Sequence, residues 1–439
     1  LITAGQQVRA VHGMQANLTN RDATRMPHPL VKWSYEPPRA ADVPHALARA
    51  IHTATLAPKG PAFVSIPMDD WYEEADPATP HAIERSTEGR AVADPAALAD
   101  LGKRLEEAAN PVMIAGPDID ASGGWDLAVA LSERQRLPVY AIPATGSGRL
   151  GFPEGHPHFR GLLPPAIAGV TETLQGHDLI LVVGASVFAY YPYIPGELLP
   201  EGAALVQITS DPDEAARAPM GDAIVADVAL SLRSLLDQIE EASRDAGPAR
   251  PDPEPGEVQD PMTGTAAMNA LGDAFPEDGI VVLEAPSSTL ALRNQLRISR
   301  PGSYYFGAGG GLGFGLAAAM GVQIAQPTRP VVCVIGEGSL QYAVTALWTA
   351  AAYEVPLTVL VLRNEEYAIL KWFQMAEQVE GAPGLDLPAL ESAAIGSAYG
   401  VESERVTDGE QLRDALTRAI GAEHPRLVEV PVAPGMWLA

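Results

Sequence analysis

Val331-Val332-Cys333-Val334-Ile335-Gly336-Glu337-Gly338-Ser339 is the stretch on which the reading of this 439-residue chain turns. Its first five residues are apolar and four are β-branched, the pattern of a strand buried on both faces in a parallel sheet. Gly336-Glu337-Gly338 ends the strand in a tight turn. Ser339 is expected to cap a helix carrying Leu340, Val344, Leu347 and Ala351 on one face. A strand, an acidic turn and a helix N-terminus set a carboxylate beside unpaired backbone N–H groups, which suits a diphosphate bridged by a divalent cation. Twenty-eight residues after Gly336, a second apolar run, Leu357 to Leu362, ends in Arg363-Asn364-Glu365-Glu366-Tyr367. That end offers Asn364 and a turn carbonyl as further oxygen ligands. Neighbouring parallel strands bring their C-terminal ends to one edge, so Glu337 and Asn364 are expected to meet.

Upstream lies a glycine cluster, Gly307-Ala308-Gly309-Gly310-Gly311-Leu312-Gly313, ahead of a helical run from Phe314 to Gln326. Missing side chains let backbone approach a ligand, although the same residues also suit close helix packing. The dinucleotide fingerprint G-x-G-x-x-G does not fit, because Leu312, Phe314 or Leu316 falls where its third glycine belongs. Further strands are expected at Val112–Ala115, Val139–Ile142, Leu179–Gly184, Leu205–Ile208 and Ile280–Glu284, with helices at Trp125–Gln135 and Leu230–Ile239. Strands alternating with helices imply parallel sheets. Ala246 to Pro261 has five prolines in sixteen residues and reads as a linker; Asp76 to Pro95 is a second, less marked one.

Composition narrows the function. The chain is 47% hydrophobic, enough to fill cores, and 29 basic against 55 acidic residues give a net charge of −26. Such a field repels nucleic-acid phosphates and anionic lipids, so neither nucleic acid nor membrane is an expected partner. The single cysteine, Cys333, permits no internal disulfide and no thiolate metal clamp, which suits a reducing cytoplasm. The nine histidines include no H-E-x-x-H pair, and G-x-S-x-G and P-loop motifs are missing.

The GEGS and RNEEY turns resemble the thiamine diphosphate-binding motif, in which Gly-Asp-Gly is followed by Asn-Asn. The chain is similar throughout to the thiamine diphosphate-dependent decarboxylases, most of all to those of the benzoylformate decarboxylase type. The likeness is carried by TAGQQ (Thr3 to Gln7), LVKWSYEP (Leu30 to Pro37), VPHALARAIH (Val43 to His52), RAPMGDAIVAD (Arg217 to Asp227), PGSYYF (Pro301 to Phe306) and ALWTAA (Ala346 to Ala351). It implies an α/β fold of three doubly wound domains with mainly parallel sheets. These are the C-terminal part of a pyrimidine-binding domain in residues 1–80, a Rossmann-like middle domain in 95–245 and, after a linker in 246–261, a diphosphate-binding domain in 262–439. It also implies thiamine diphosphate with Mg²⁺ or Ca²⁺, a small-molecule 2-oxo acid as substrate, and a homodimer or homotetramer with the active site at the subunit interface.

Position by position, the resemblance makes Glu337, Asn364 and the main chain of Glu366 the metal ligands. Ser287, Gly310, Gly336, Gly338, Ser339, Tyr342 and Tyr367 line the cofactor, and Leu312 supports its rings. Leu18, Phe306, Ile369, Leu370 and Phe373 surround the substrate, and Tyr191 stands in the run that carries a catalytic histidine in the family. Apart from the resemblance, apolar residues at such spacings are more often core than pocket, and Leu312 reads equally well as an ordinary core leucine. The implied reaction is non-oxidative decarboxylation of a benzoylformate-like 2-oxo acid to an aldehyde and CO₂.

Several positions depart from the family. Glu337 replaces Asp and carries the carboxylate one bond, about 1.5 Å, further out. Glu365 and Glu366 replace glycine and threonine, adding negative charge beside a diphosphate. Tyr191 donates a hydrogen bond but does not relay protons at neutral pH as an imidazole does. Ile369 is bulkier than the family's alanine, pointing to a slimmer substrate side chain. The glutamate that activates the cofactor in the family, with another histidine, lies upstream of the region matched here, so the chain is expected to be part of a longer one. Two rival readings stand beside the decarboxylase: a carboligase like acetolactate synthase, and a non-catalytic relative that keeps only the fold.

Overall fold

Short apolar runs form three mainly parallel sheets in the computed structural model, which describes residues 1–74, 81, 84–143, 148–188, 191, 192, 194–257 and 259–436. Parts of the expected Asp76–Pro95 linker, Ala189, Tyr190, Tyr193 and Val258 lie outside the described residues. The chain forms two units. The first comprises Leu1–Ala93 with Ser210–Ala216 and Val225–Asp227; the second comprises Asp94–Thr209, Arg217–Ile224 and Val228–Ala439.

In the first unit, β1 (Ile2–Gln6), β2 (Trp33–Tyr35) and β3 (Ala62–Pro67) pair in the order β1-β3-β2. The fully buried β3 lies at the centre, and β1 is an edge strand buried only at Gln6. The Val43–Thr55 helix packs Ala46 and Ala50 against Ala62, Val64 and Ile66.

The second unit holds two six-stranded sheets. In the first, β4 (Pro111–Ala115), β5 (Val139–Ala141), β6 (Phe159–Leu162), β7 (Leu179–Val183), β8 (Ala204–Thr209) and β9 (Asp222–Val225) lie in the order β6-β5-β4-β7-β8-β9. The other contains β10 (Ile280–Glu284), β11 (Tyr304–Phe306), β12 (Val331–Gly336), β13 (Leu357–Arg363), β14 (Glu402–Arg405) and β15 (Arg426–Pro431), in the order β11-β10-β12-β13-β15-β14 with every pair parallel. Because side chains alternate along a strand, Val332, Val334 and Leu360 enter one core while Val331, Cys333 and Val359 enter the other. Both faces are covered by helices, which is why β12 and β13 read as unbroken apolar runs.

Strand order reverses direction between β10 and β12, since β11 leaves to one side of β10 and β12 to the other. Ligands of open parallel sheets bind in the crevice at such a point, beyond the strands' C-terminal ends. In the sheet of β4 to β9 the matching crevice, between β4 and β7, is occupied by backbone: a Cβ on Gly116 would overlap Gly184 O, and one on Gly151 would overlap Gly116 O. Beyond β10 and β12 the backbone stays open. Cβ atoms built on Gly309, Gly310 and Gly311 meet nothing within 4 Å.

Two local expectations need correction. Ser339 does not cap a helix; Gly336 is the N-cap, in extended backbone at φ −73 and ψ 150, and Glu337 begins the helix. The single helix expected after it is two short ones, Glu337–Gln341 and Ala346–Ala352. The β-branched pair Val344-Thr345 sits at the break, where helix propensity is low.

Candidate active site

Glu337 and Asn364 come together. β12 and β13 are adjacent, with Gly336 paired to Leu362, so both chains turn at the same height. The Asn364 and Glu365 N–H groups donate to Glu337 Oε1 at 3.1 and 2.6 Å. The longer side chain thus spans from the start of its own helix to the neighbouring turn. Burial pushes the Glu337 carboxyl up to about 7, against the pull of N–H donors from its own backbone, Glu365 and Asn364 and of the Arg363 charge. A cation beside it would favour the charged form.

Asn364 Oδ1 accepts from the Glu366 N–H at 3.2 Å and retains a second lone pair. The two additional acids are both partnered. Glu365 pairs with Arg363 at 2.9 Å, while Glu366 accepts from Lys371 Nζ and, at 2.8 Å, from the Gly435 N–H. Each acid meets a cation that it shares, Arg363 with Glu391 and Glu429 and Lys371 with Asp386. Among the described residues no three or more His, Cys, Asp or Glu side chains are grouped to hold a metal. The donors available here are one carboxylate, one amide oxygen and one main-chain carbonyl, all hard oxygens of the kind Mg²⁺ and Ca²⁺ take.

Across the crevice, the glycine loop is tied down by Glu284, which sequence reasoning did not single out. This buried carboxylate closes β10, and it accepts from the Gly313 N–H at 2.7 Å and from the Gly315 N–H. Burial raises its pKa despite N–H donors from Gly313, Gly315 and Phe314. The only signal in the sequence is an acid ending an apolar strand. Half-buried Leu312 is held between Gly310 and Gly313, whose φ values of +68 and +97 favour glycine. Ser287 lies three residues after Glu284, half-buried in the short turn Pro286–Ser288.

Tyr342, Tyr367 and Gly338 adjoin one another. A Cβ on Gly313 would lie 3.3 Å from Tyr342 Cβ, and one on Gly338 would lie 2.7 Å from Tyr367 Cε1. Burial raises the Tyr367 phenol, and the neighbouring Tyr342 hydroxyl raises it further. Ser339 is buried in the same turn.

Ile369, Leu370 and Phe373 lie on the Ala368–Ala376 helix, where spacings of three and four place them on one side. Tyr191 packs on Phe373 with ring centroids 5.1 Å apart. Phe306 is placed differently from its expected role: it is 9% exposed and belongs to the core with Leu283 and Leu362, so it backs the glycine loop from within. Leu18 belongs to the first unit and is 89% exposed.

Comparison with known proteins agrees with this geometry. Residues 286–430 match the thiamine pyrophosphate enzyme C-terminal TPP-binding domain, and residues 98–235 match the central domain of the same enzymes. Benzoylformate decarboxylase of Pseudomonas aeruginosa is 48% identical over 432 residues, covering 98% of this chain and 81% of that protein. The structure of the Rhodococcus jostii RHA1 thiamine diphosphate-dependent 4-hydroxybenzoylformate decarboxylase superposes with a TM-score of 0.95 at 42% identity, covering 100% of this chain and 82% of that one. An acetolactate synthase large subunit of Parasynechococcus marenigrum is more distant, 27% identical over 99% of this chain and 72% of that protein.

Proposed function

The chain belongs to the thiamine pyrophosphate enzymes, and from that premise we propose that it decarboxylates a benzoylformate-like 2-oxo acid to an aldehyde and CO₂. The observation that carries the reading is the Glu337 carboxylate gripped by the turn after β13, in the sheet whose β11 leads into the open glycine loop. Similarity to two decarboxylases at 48 and 42% identity favours this reaction over the carboligation of the more distant acetolactate synthases.

The oxygen donors suit a divalent cation, Mg²⁺ or Ca²⁺, held by Glu337, Asn364 and the main chain of Glu366. Ser287, Gly310, Gly336, Gly338, Ser339, Tyr342 and Tyr367 would line a diphosphate, and Leu312 would support the rings. When bound, thiamine diphosphate supplies the electron sink that accepts the electron pair left as CO₂ departs. The protein's part is positional. Glu284 holds the loop bearing Leu312, and Ile369, Leu370 and Phe373 supply an apolar surround for the substrate side chain. The Tyr191 hydroxyl donates a hydrogen bond toward the reacting group.

The same reading assigns residues 1–80, 95–245 and 262–439 to pyrimidine-binding, middle and diphosphate-binding domains, with 246–261 as linker. It takes the protein as a cytoplasmic homodimer or homotetramer with the active site at the subunit interface. Tyr342, Trp348 and Tyr353, 61, 58 and 73% exposed, offer apolar surface for such contact. Light scattering measures the assembly. Incubating the purified protein with benzoylformate, thiamine diphosphate and Mg²⁺ tests the reaction. Equimolar benzaldehyde and CO₂ are expected; condensation products without free aldehyde would overturn it.

A further inference from the structure

Glu365 carries a positive φ of +60, a conformation that costs a residue with a Cβ and that glycine adopts freely. The strain sits where two successive N–H groups, of Asn364 and Glu365, converge on a single oxygen, Glu337 Oε1. Successive N–H groups converge in this way only where the backbone changes hand or turns sharply, forming a nest for an anion. Something must hold the strained residue in place. Its side chain is 58% exposed, yet it is ion-paired at 2.9 Å to Arg363, whose own side chain is only 7% exposed. The guanidinium is fixed in turn by Glu391 at 3.1 Å and by the fully buried Glu429 at 3.2 Å. A rigid cation thus anchors an otherwise solvent-facing carboxylate.

We propose that Glu365 is a positioning residue: its pair with Arg363 holds the turn after Asn364 in the left-handed conformation that aims two N–H groups at Glu337, and so sets that carboxylate for a cation-bridged diphosphate. The last step rests on the cofactor reading above; the hold on the turn does not. Glutamate and glycine are two solutions to the same backbone problem, one by an ion pair and one by removal of the Cβ. Alanine is neither.

Three proteins decide it: wild type, Glu365→Ala and Glu365→Gly. In the cofactor-free state, hydrogen–deuterium exchange over the peptide containing residues 363–367 is expected to quicken in Glu365→Ala and to return toward wild type in Glu365→Gly. Titration calorimetry with thiamine diphosphate and Mg²⁺ is expected to show affinity about fivefold to tenfold weaker in Glu365→Ala and within about twofold of wild type in Glu365→Gly. If Glu365 is only a surface ion pair, Glu365→Ala, which keeps the Cβ and loses the pair, behaves like wild type. Exchange and affinity in Glu365→Ala equal to those of wild type would therefore overturn the proposal. Wild type that fails to bind the cofactor would refute the functional reading, and the exchange comparison alone would then decide the role of Glu365.

Discussion

At the scale of single residues, the site depends on carboxylates that burial penalises and backbone N–H groups hold. Asn364→Ala removes a neutral oxygen donor without disturbing the N–H grip on Glu337, since those donors are main-chain. It is expected to weaken Mg²⁺ binding by more than about tenfold, read by calorimetry in the presence of thiamine diphosphate. Glu284 makes a different prediction. Because burial raises its folded pKa, the folded protein binds this proton more tightly than the unfolded chain does, so stability is lost as pH rises above the ordinary glutamate range. Glu284→Gln has no such proton. The melting temperature of wild type minus that of Glu284→Gln should therefore decrease between about pH 4 and about pH 8, and a rising difference would contradict the assignment.

At the scale of elements, helix ends and strand ends leave little room for added atoms. Gly338, in the helix after β12, would present a Cβ 2.7 Å from both Tyr367 Cε1 and Leu387 Cδ1. Gly338→Ala should cost about 1–3 kcal/mol in urea unfolding and displace Tyr367, visible as altered tyrosine fluorescence. In the proposed reading the Ala368–Ala376 helix would line the substrate, and Ile369 shares its side with Phe373. Removing that bulk in Ile369→Ala is expected to shift kcat/KM toward benzoylformate over a branched aliphatic 2-oxo acid by about tenfold or more. No shift, or one toward the aliphatic substrate, would remove Ile369 from the pocket.

At the scale of the whole second unit, its two sheets are joined by a buried ion pair. Glu154, in the loop before β6, meets Arg293 of the Thr289–Leu296 helix at 2.8 Å with side chains 0 and 1% exposed. Arg293 also lies over the Tyr304 ring, at 5.3 Å. That helix follows directly from Ser287, so the pair braces one wall of the crevice against the other sheet. Glu154→Ala leaves a buried guanidinium without its counter-charge and should cost about 3–5 kcal/mol, measured by denaturant unfolding. A smaller effect would mean that water or another acid replaces the partner.

Much of this molecule was legible in the linear chain because period and punctuation are local properties. The Ile280–Glu284 strand and the Trp125–Gln135 helix match their expected bounds, and the apolar runs ending at Glu337 and Asn364 are neighbours in the sheet. Where an end is capped, and what a side chain reaches, depend on partners distant in sequence. Ser339 lost the cap to Gly336, Phe306 went to the core, and Glu284 gained its part through a loop 29 residues away. The sequence by itself determined the parallel sheets and the two acid-bearing turns, since β-branched runs and glycine breaks leave the backbone few alternatives. Only the tertiary structure decided that Glu337 is held by the amides after β13 and that Arg363 is fixed by Glu429 of β15, because those contacts exist only once neighbouring strands lie side by side.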